Sequence, residues 1–194
     1  MKKWFQCLAV VCAFCIFPVQ GAQDGSLPLV KQTPQGLYLS AVDAYKLVKT
    51  QNKKILFVDV RTPSELEFVG VAEDIDVNIP YMLNDMTAWD EKKHRFKKVP
   101  NSNFTLATGD ALKRKGLSNQ NKIILICRSG TRSASAASLL NKAGYRNVYS
   151  VIDGFEGDQA KTGPGKGNRS VNGWKKAKLP WTYKLTKAKM YFDL

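Results

Sequence analysis

Ile123-Ile124-Leu125-Ile126-Cys127-Arg128-Ser129-Gly130-Thr131-Arg132-Ser133 joins an apolar run to a polar loop that carries two arginines. Ala134-Ser135-Ala136-Ala137-Ser138-Leu139-Leu140 follows. The apolar run is β-rich and bounded by polar residues, which predicts a buried strand. The Ala/Ser/Leu segment predicts a helix from Ser133, closed by Gly144 just past its end. A cysteine therefore sits where a buried strand stops and a helix begins. Backbone N–H groups are unpaired there and the helix dipole is positive, so a thiolate or a bound anion is stabilised.

Working outward, the same alternation recurs on both sides. Residues 23–36, with Gly25, Pro28, Pro34 and Gly36, form an extended lead-in. Gly36 to Leu39 is a short strand. Ser40 caps a helix with Asp43 three residues on, and Val42, Tyr45, Leu47 and Val48 mark its buried side. Ile55 to Val60 is a second buried strand, ending in Asp59 and then Arg61. Pro63 suits the first turn of the helix that follows, Ser64 to Phe68. Glu65 and Glu67 both lie near enough in sequence to pair with Arg61. Asp59 and Arg61 themselves have two readings. They form a structural ion pair at the strand end, or they line the crevice at the carboxyl ends of parallel strands, where ligands of such sheets bind. The structural reading comes first.

Val77 to Tyr81 is a third strand stopped by Pro80. Residues 82–103 lack a regular pattern and are too long for a plain connection. They are read as a solvated surface loop, with an excursion over the active face as the alternative. His94, the only histidine, stands among charges in this stretch and reads as a surface residue. Phe104 to Lys115 is a helix on Leu106, Ala107, Ala111 and Leu112, and Asn147 to Val151 is a further strand. Strands alternating with helices give an α/β domain with a central, mostly parallel sheet flanked by helices on both faces. From residue 159 to 194 the composition shifts to lysines interleaved with Trp174, Trp181, Tyr183, Tyr191 and Phe192. This basic aromatic C-terminal extension is expected to pack back on the domain.

Residues 1–22 read as a secretory signal peptide: Lys2 and Lys3, an apolar stretch to Pro18, and small residues around Gly21-Ala22. The apolar stretch is about 15 residues, short of the roughly 20 that span a bilayer, so no stable membrane span is expected after cleavage. A periplasmic or secreted location follows. Cys7, Cys12 and Cys15 leave with the signal, so Cys127 becomes the only thiol. A lone exported thiol is a liability unless it is used. The 194-residue chain carries a net charge of +14. Export, and the absence of any zinc-finger, helix-turn-helix or RNA-binding motif, argue against nucleic acid as the partner. A site for small anions, and attraction to an acidic protein partner or a membrane surface, are the preferred causes. One cysteine and one histidine cannot supply a four-ligand metal site, and no cofactor motif is present.

The loop itself specifies chemistry. Cys127 and Arg132 enclose four residues, of which Ser129, Gly130 and Thr131 are small enough to let the backbone curl around the sulfur. Arg128 and Arg132 add fixed charge, and Arg132 has the fork to hold an oxyanion in bidentate fashion. Such a ring favours Cys127 as thiolate without a separate base.

This loop resembles the active-site loop of the rhodanese sulfurtransferases. Phe57-Val58-Asp59-Val60-Arg61, Asn78-Ile79-Pro80, Gly144-Tyr145 and Val151-Ile152-Asp153-Gly154-Phe155 fall in the order that family shows, so the rhodanese-like domain is placed at residues 37–158. One departure is Gly70-Val71-Ala72, where members often carry Gly-His-Ile. The resemblance implies a thiosulfate sulfurtransferase with Cys127 as nucleophile. It attacks the sulfane sulfur of thiosulfate or a similar small anionic donor, becomes a persulfide, and passes the sulfur to cyanide or a thiol. Residues Arg128, Ser129, Gly130, Thr131, Arg132 and Ser133 are implied to hold the donor and the persulfide, with Asp59 and Arg61 in support. Two other readings remain. One is a persulfide carrier or binding module without turnover. The other is a phosphatase or arsenate reductase of related fold, whose loop is one residue longer than this one.

Overall fold

A computed structural model describes residues 27–192; the expected signal peptide and the start of the lead-in lie outside the described residues. Among them, no helix is long and apolar enough to cross a membrane.

Five strands form one fully parallel sheet: β1 (Tyr38–Leu39), β2 (Ile55–Asp59), β4 (Val77–Asn78), β7 (Lys122–Ile126) and β8 (Val148–Val151), in the spatial order β1-β8-β7-β2-β4. Alternation along β2 and β7 builds two cores. Ile55, Phe57, Ile124 and Ile126 point to one face, packed with Ala41, Ala44 and Val48 of α1 (Ala41–Gln51), Leu66 of α2 (Pro63–Val69), Phe155 and Trp174. Leu56, Val58, Ile123 and Leu125 point to the other face. There they meet α3 (Phe104–Arg114) and α4 (Thr131–Lys142) through Phe104, Leu112, Ala136, Ala137 and Leu140. Successive strand residues alternate between faces, and a parallel sheet is covered on both.

Several helix expectations shift in detail. The N-cap of α1 is Ser40, whose hydroxyl accepts from the Asp43 N–H at 3.1 Å. Its fully buried line is Ala41, Ala44 and Val48, however, not Val42. Small residues face the sheet because the helix approaches it closely. Helix α4 starts two residues before Ser133, at Thr131, because Gly130 in a left-handed conformation (φ 93°) turns the chain into it. Leu106 of α3 is exposed.

The largest correction concerns residues 82–103. This stretch is no irregular loop. It is an antiparallel hairpin, β5 (Met82–Asp90) and β6 (Arg95–Pro100), with register shifts between Asp85 and Trp89. Among the described residues its strands pair only with each other. Cross-strand contacts hold it, notably the edge-to-face pair Trp89–Phe96 with ring centroids 5.3 Å apart. His94 is exposed at the tight turn, with φ 48°.

The C-terminal extension packs on the sheet face lined by α1. Trp174 is fully buried, edge-on to Tyr45 and tilted on Phe57, and its indole N–H donates to the Pro180 carbonyl at 2.9 Å. Trp181 and Thr182 form β9, which pairs antiparallel with β3 (Val71–Ala72). Val71 and Ala72 therefore serve as a small, buried edge under the extension.

Candidate functional site

Strand β7 ends at Ile126, and Cys127 follows at the floor of a cleft, 1% exposed. The chain then turns through Arg128, Ser129 and Gly130 into α4. Two features make the loop close around sulfur. Its carbonyls are occupied from outside: Phe155 N–H donates to Cys127 O at 2.8 Å, and Glu156 and Gly157 N–H both donate to Arg128 O. The turn that supplies these donors needs Gly154 (φ 65°), where a Cβ would sit 2.6 Å from the Arg128 carbonyl. With its carbonyls tied back, the loop can turn N–H groups inward. The Gly130 N–H does so, donating to Cys127 Sγ at 3.2 Å.

Ser133 lies beneath the sulfur instead of in the cleft. Its hydroxyl is buried, 3.5 Å from Sγ, and donates to the Gly130 carbonyl at 3.0 Å. Ser150 of β8 donates to it at 2.9 Å. This serine pair fixes the first turn of α4 against the sheet and presents a hydroxyl to the thiol from below. The sequence places Ser150 on a strand, but it does not reveal the partner.

Arg132 differs from its expected role. Both terminal nitrogens of its guanidinium are held by Glu65, at 2.6 and 2.5 Å. Glu65 is the third residue of α2 and the partner of Thr62 in a capping box, which aims its carboxylate across the cleft. Burial pushes the Glu65 carboxyl up, but the Arg132 fork, the Thr62 N–H and nearby Lys98 outweigh it and hold the pKa at about 2. Burial likewise opposes the charge on Arg132, and the Glu65 pair overcomes it and raises the Arg132 pKa. The bidentate oxyanion holder of the loop is thus already matched from within the chain. Arg128 is the loop arginine without an internal carboxylate among the described residues. Burial, then the charges of Arg169 and Arg132, push its pKa down.

Neither Glu65 nor Glu67 pairs with Arg61. That arginine is fully buried with Asp59, at 2.6 Å, and donates to the Gly70 carbonyl at 2.9 Å. Its guanidinium lies 4.1 Å from the Phe155 ring centroid. Asn78 donates to the Asp59 and Arg61 carbonyls, both at 2.8 Å. None of these groups lines the cleft. Asp59 and Arg61 lock the carboxyl end of β2 to β4, α2 and the 155 turn, and so brace the wall beside Cys127.

The cleft has a volume of about 790 Å³. Cys127, Arg128, Ser129, Thr131 and Arg132 form one side. The hairpin forms the other, through residues that carry no recognisable signal in the sequence: Arg95, Lys97 and Lys98, with Lys93 and Asp90 near the turn. Lys98 stands 3.9 Å from Glu65 and donates to Asn84 Oδ1 at 2.8 Å. Burial lowers its pKa; Glu65 pulls it back, while Arg132, Arg95 and Arg128 depress it further. The site is a buried thiol that accepts the Gly130 N–H, at the floor of a cationic cleft.

The Rhodanese-like domain model matches residues 40–161. The chain belongs to the rhodanese-like family. An uncharacterized protein of Rickettsia conorii is 30% identical over 145 residues, covering 75% of this chain and 96% of that protein. The chloroplastic rhodanese-like domain-containing protein 9 of Arabidopsis thaliana is 27% identical over 150 residues, covering 73% of this chain and 63% of that protein. Among solved structures, Rv0390 from M. tuberculosis superposes with a TM-score of 0.53 at 28% identity, covering 76% of this chain and 97% of that one. Sulfur transfer is the activity supported at the level of the family.

Proposed function

We propose that this protein is an exported sulfurtransferase that works through a persulfide on Cys127. One observation carries the reading. In a rhodanese-like chain, Cys127 Sγ sits at the N-terminus of α4 and accepts the Gly130 N–H at 3.2 Å, on a loop whose carbonyls are tied outward. Backbone N–H groups and the helix dipole favour an anion there, as thiolate before transfer and as persulfide after it. In the first step the Cys127 thiolate attacks the outer sulfur of thiosulfate or a similar donor. The donor's S–S bond breaks and sulfite leaves with the electron pair. In the second step a thiophile, cyanide or a thiol, attacks the outer sulfur of the persulfide and Cys127 thiolate is restored. Arg128 meets the donor's sulfonate end. Arg132, held by Glu65, supports the shape of the loop. The buried Asp59–Arg61 pair acts through position alone.

The test is turnover of thiosulfate with cyanide by the full chain and by Cys127→Ser. The substitution is expected to abolish turnover while circular dichroism and melting temperature stay at wild-type values. Near wild-type turnover in Cys127→Ser would refute the assignment.

A further inference from the structure

The cleft is larger and more charged than its floor requires. Clefts of roughly 300–1,000 Å³ hold drug-sized ligands, and this one lies in that range at about 790 Å³. A small inorganic anion occupies only the floor. Six cations line the walls against two carboxylates, Glu65 and Asp90. Glu65 is taken by Arg132 at 2.5 Å, with Lys98 at 3.9 Å, and Asp90 lies 3.5 Å from Lys93. Among the described residues, Arg95, Lys97 and Arg128 make no direct ion pair, although Asp90 and Asp85 stand across the hairpin from Arg95 and Lys97, and Glu156 lies near Arg128. Arg95 and Lys97 are on β6, across the cleft from the sulfur. The cleft thus carries an excess of positive charge, which an anionic ligand neutralises.

The position of this excess charge distinguishes the two half-reactions. A donor reacts at Cys127 Sγ itself, next to Arg128 and the loop N–H groups. The acceptor reacts at the outer sulfur of the persulfide, one S–S bond or about 2 Å farther out. Its body therefore lies toward the mouth of the cleft, where the hairpin cations stand. Cyanide has no body to reach them.

From this cleft we infer that the sulfur acceptor is a thiol carried on an acidic peptide, whose carboxylates are read by Arg95 and Lys97 of the hairpin. The inference rests on the persulfide reading above. The acceptor thiolate attacks the outer sulfur of the Cys127 persulfide, and the bond between the two persulfide sulfurs breaks. The electron pair returns to Cys127, and the acceptor departs as a persulfide. No oxidant or reductant is consumed. A free acidic peptide and a cysteine within an acidic segment of a protein present the same chemistry.

The experiment uses full-length protein charged with thiosulfate and a set of acetylated, amidated peptides: Glu-Cys-Glu, Gln-Cys-Gln, and a longer acidic peptide around the same cysteine. Charging is followed by intact mass, transfer by the mass gained on the peptide. Glu-Cys-Glu is expected to exceed Gln-Cys-Gln in kcat/KM by about tenfold at low salt, and the advantage to collapse near 1 M salt. The double variant Arg95→Gln with Lys97→Gln should bring the ratio close to one. On the unaltered chain, the salt series alone separates a charge-dependent preference from a charge-independent one. A further gain with the longer peptide assigns the acceptor to a protein segment; equal rates for the two acidic peptides assign it to a small acidic thiol. Equal rates for Glu-Cys-Glu and Gln-Cys-Gln on a charged protein would overturn the inference and leave the persulfide reading standing. A protein that never charges would overturn that reading instead.

Discussion

Two neighbouring strands end in opposite ways. Strands β2 and β7 run in parallel, with Asp59 opposite Ile126, and each ends in an arginine-bearing segment. After β2 the charges are consumed inside the protein: Asp59 and Arg61 are both fully buried, on each other, on the Gly70 carbonyl and on the Phe155 ring. After β7 the chain opens. The Cys127 carbonyl and the Arg128 carbonyl are satisfied by residues 155–157, but the Gly130 N–H points at a sulfur and Arg128 faces a cleft. One strand end spends its polar groups on the fold, and the other keeps them for a ligand. A sulfur site of this kind needs both, because N–H donors aimed at an anion hold their geometry only against a wall that does not move.

The closed end is the place to break this contrast most strongly. Arg61→Ala strips Asp59 of its partner and leaves a buried, unpaired carboxylate. It is expected to cost about 3–5 kcal/mol, read as a shift in the urea midpoint without a large change in slope. A loss under about 1 kcal/mol would mean that the pair is not what fixes the β2 end.

The Glu65–Arg132 bridge tests the boundary between the two ends, and its effect is smaller. The folded pKa of Glu65, about 2, lies below the ordinary glutamate value of 4.5. Its contribution is therefore fully present above pH 4.5 and fades as the pH falls toward 2. By linkage this is worth on the order of 3 kcal/mol. The stability gap between wild type and Glu65→Gln should be widest near neutral pH and narrow between about pH 5 and 2. A gap independent of pH would show that the carboxylate's charge is not what holds Arg132.

The sheet and the loop are legible in the sequence for physical reasons. Ile55–Asp59 and Lys122–Ile126 are covered on both faces, so they read as unbroken apolar runs, and the cysteine loop is contiguous. The hairpin is legible only as the alternative reading of its stretch, an excursion over the active face, and its strands are not legible. Met82–Pro100 carries many charged residues, lysine above all, and has no Asn-Gly or Gly at its turn; His94 takes the left-handed position that usually advertises itself by glycine. Trp89 and Phe96 flanking a charged turn are the available signal, and it is weak. Glu65 reads locally toward Arg61, because its true partner lies 67 residues away. Arg132 accordingly reads as a ligand holder when half of its environment belongs to the fold. Asp59 and Arg61, an acid and an arginine two residues apart at a buried strand end, pair with each other, the arrangement that the structural reading expects.

The most direct measurement is the mass of the Cys127-containing peptide after the full-length protein has met thiosulfate under non-reducing conditions. Transfer through a persulfide predicts a gain of about 32 Da on that peptide, removed by cyanide and absent from Cys127→Ser. An unmodified Cys127 after exposure to thiosulfate and other sulfane donors, together with hydrolysis of an aryl phosphate by the same preparation, would contradict it.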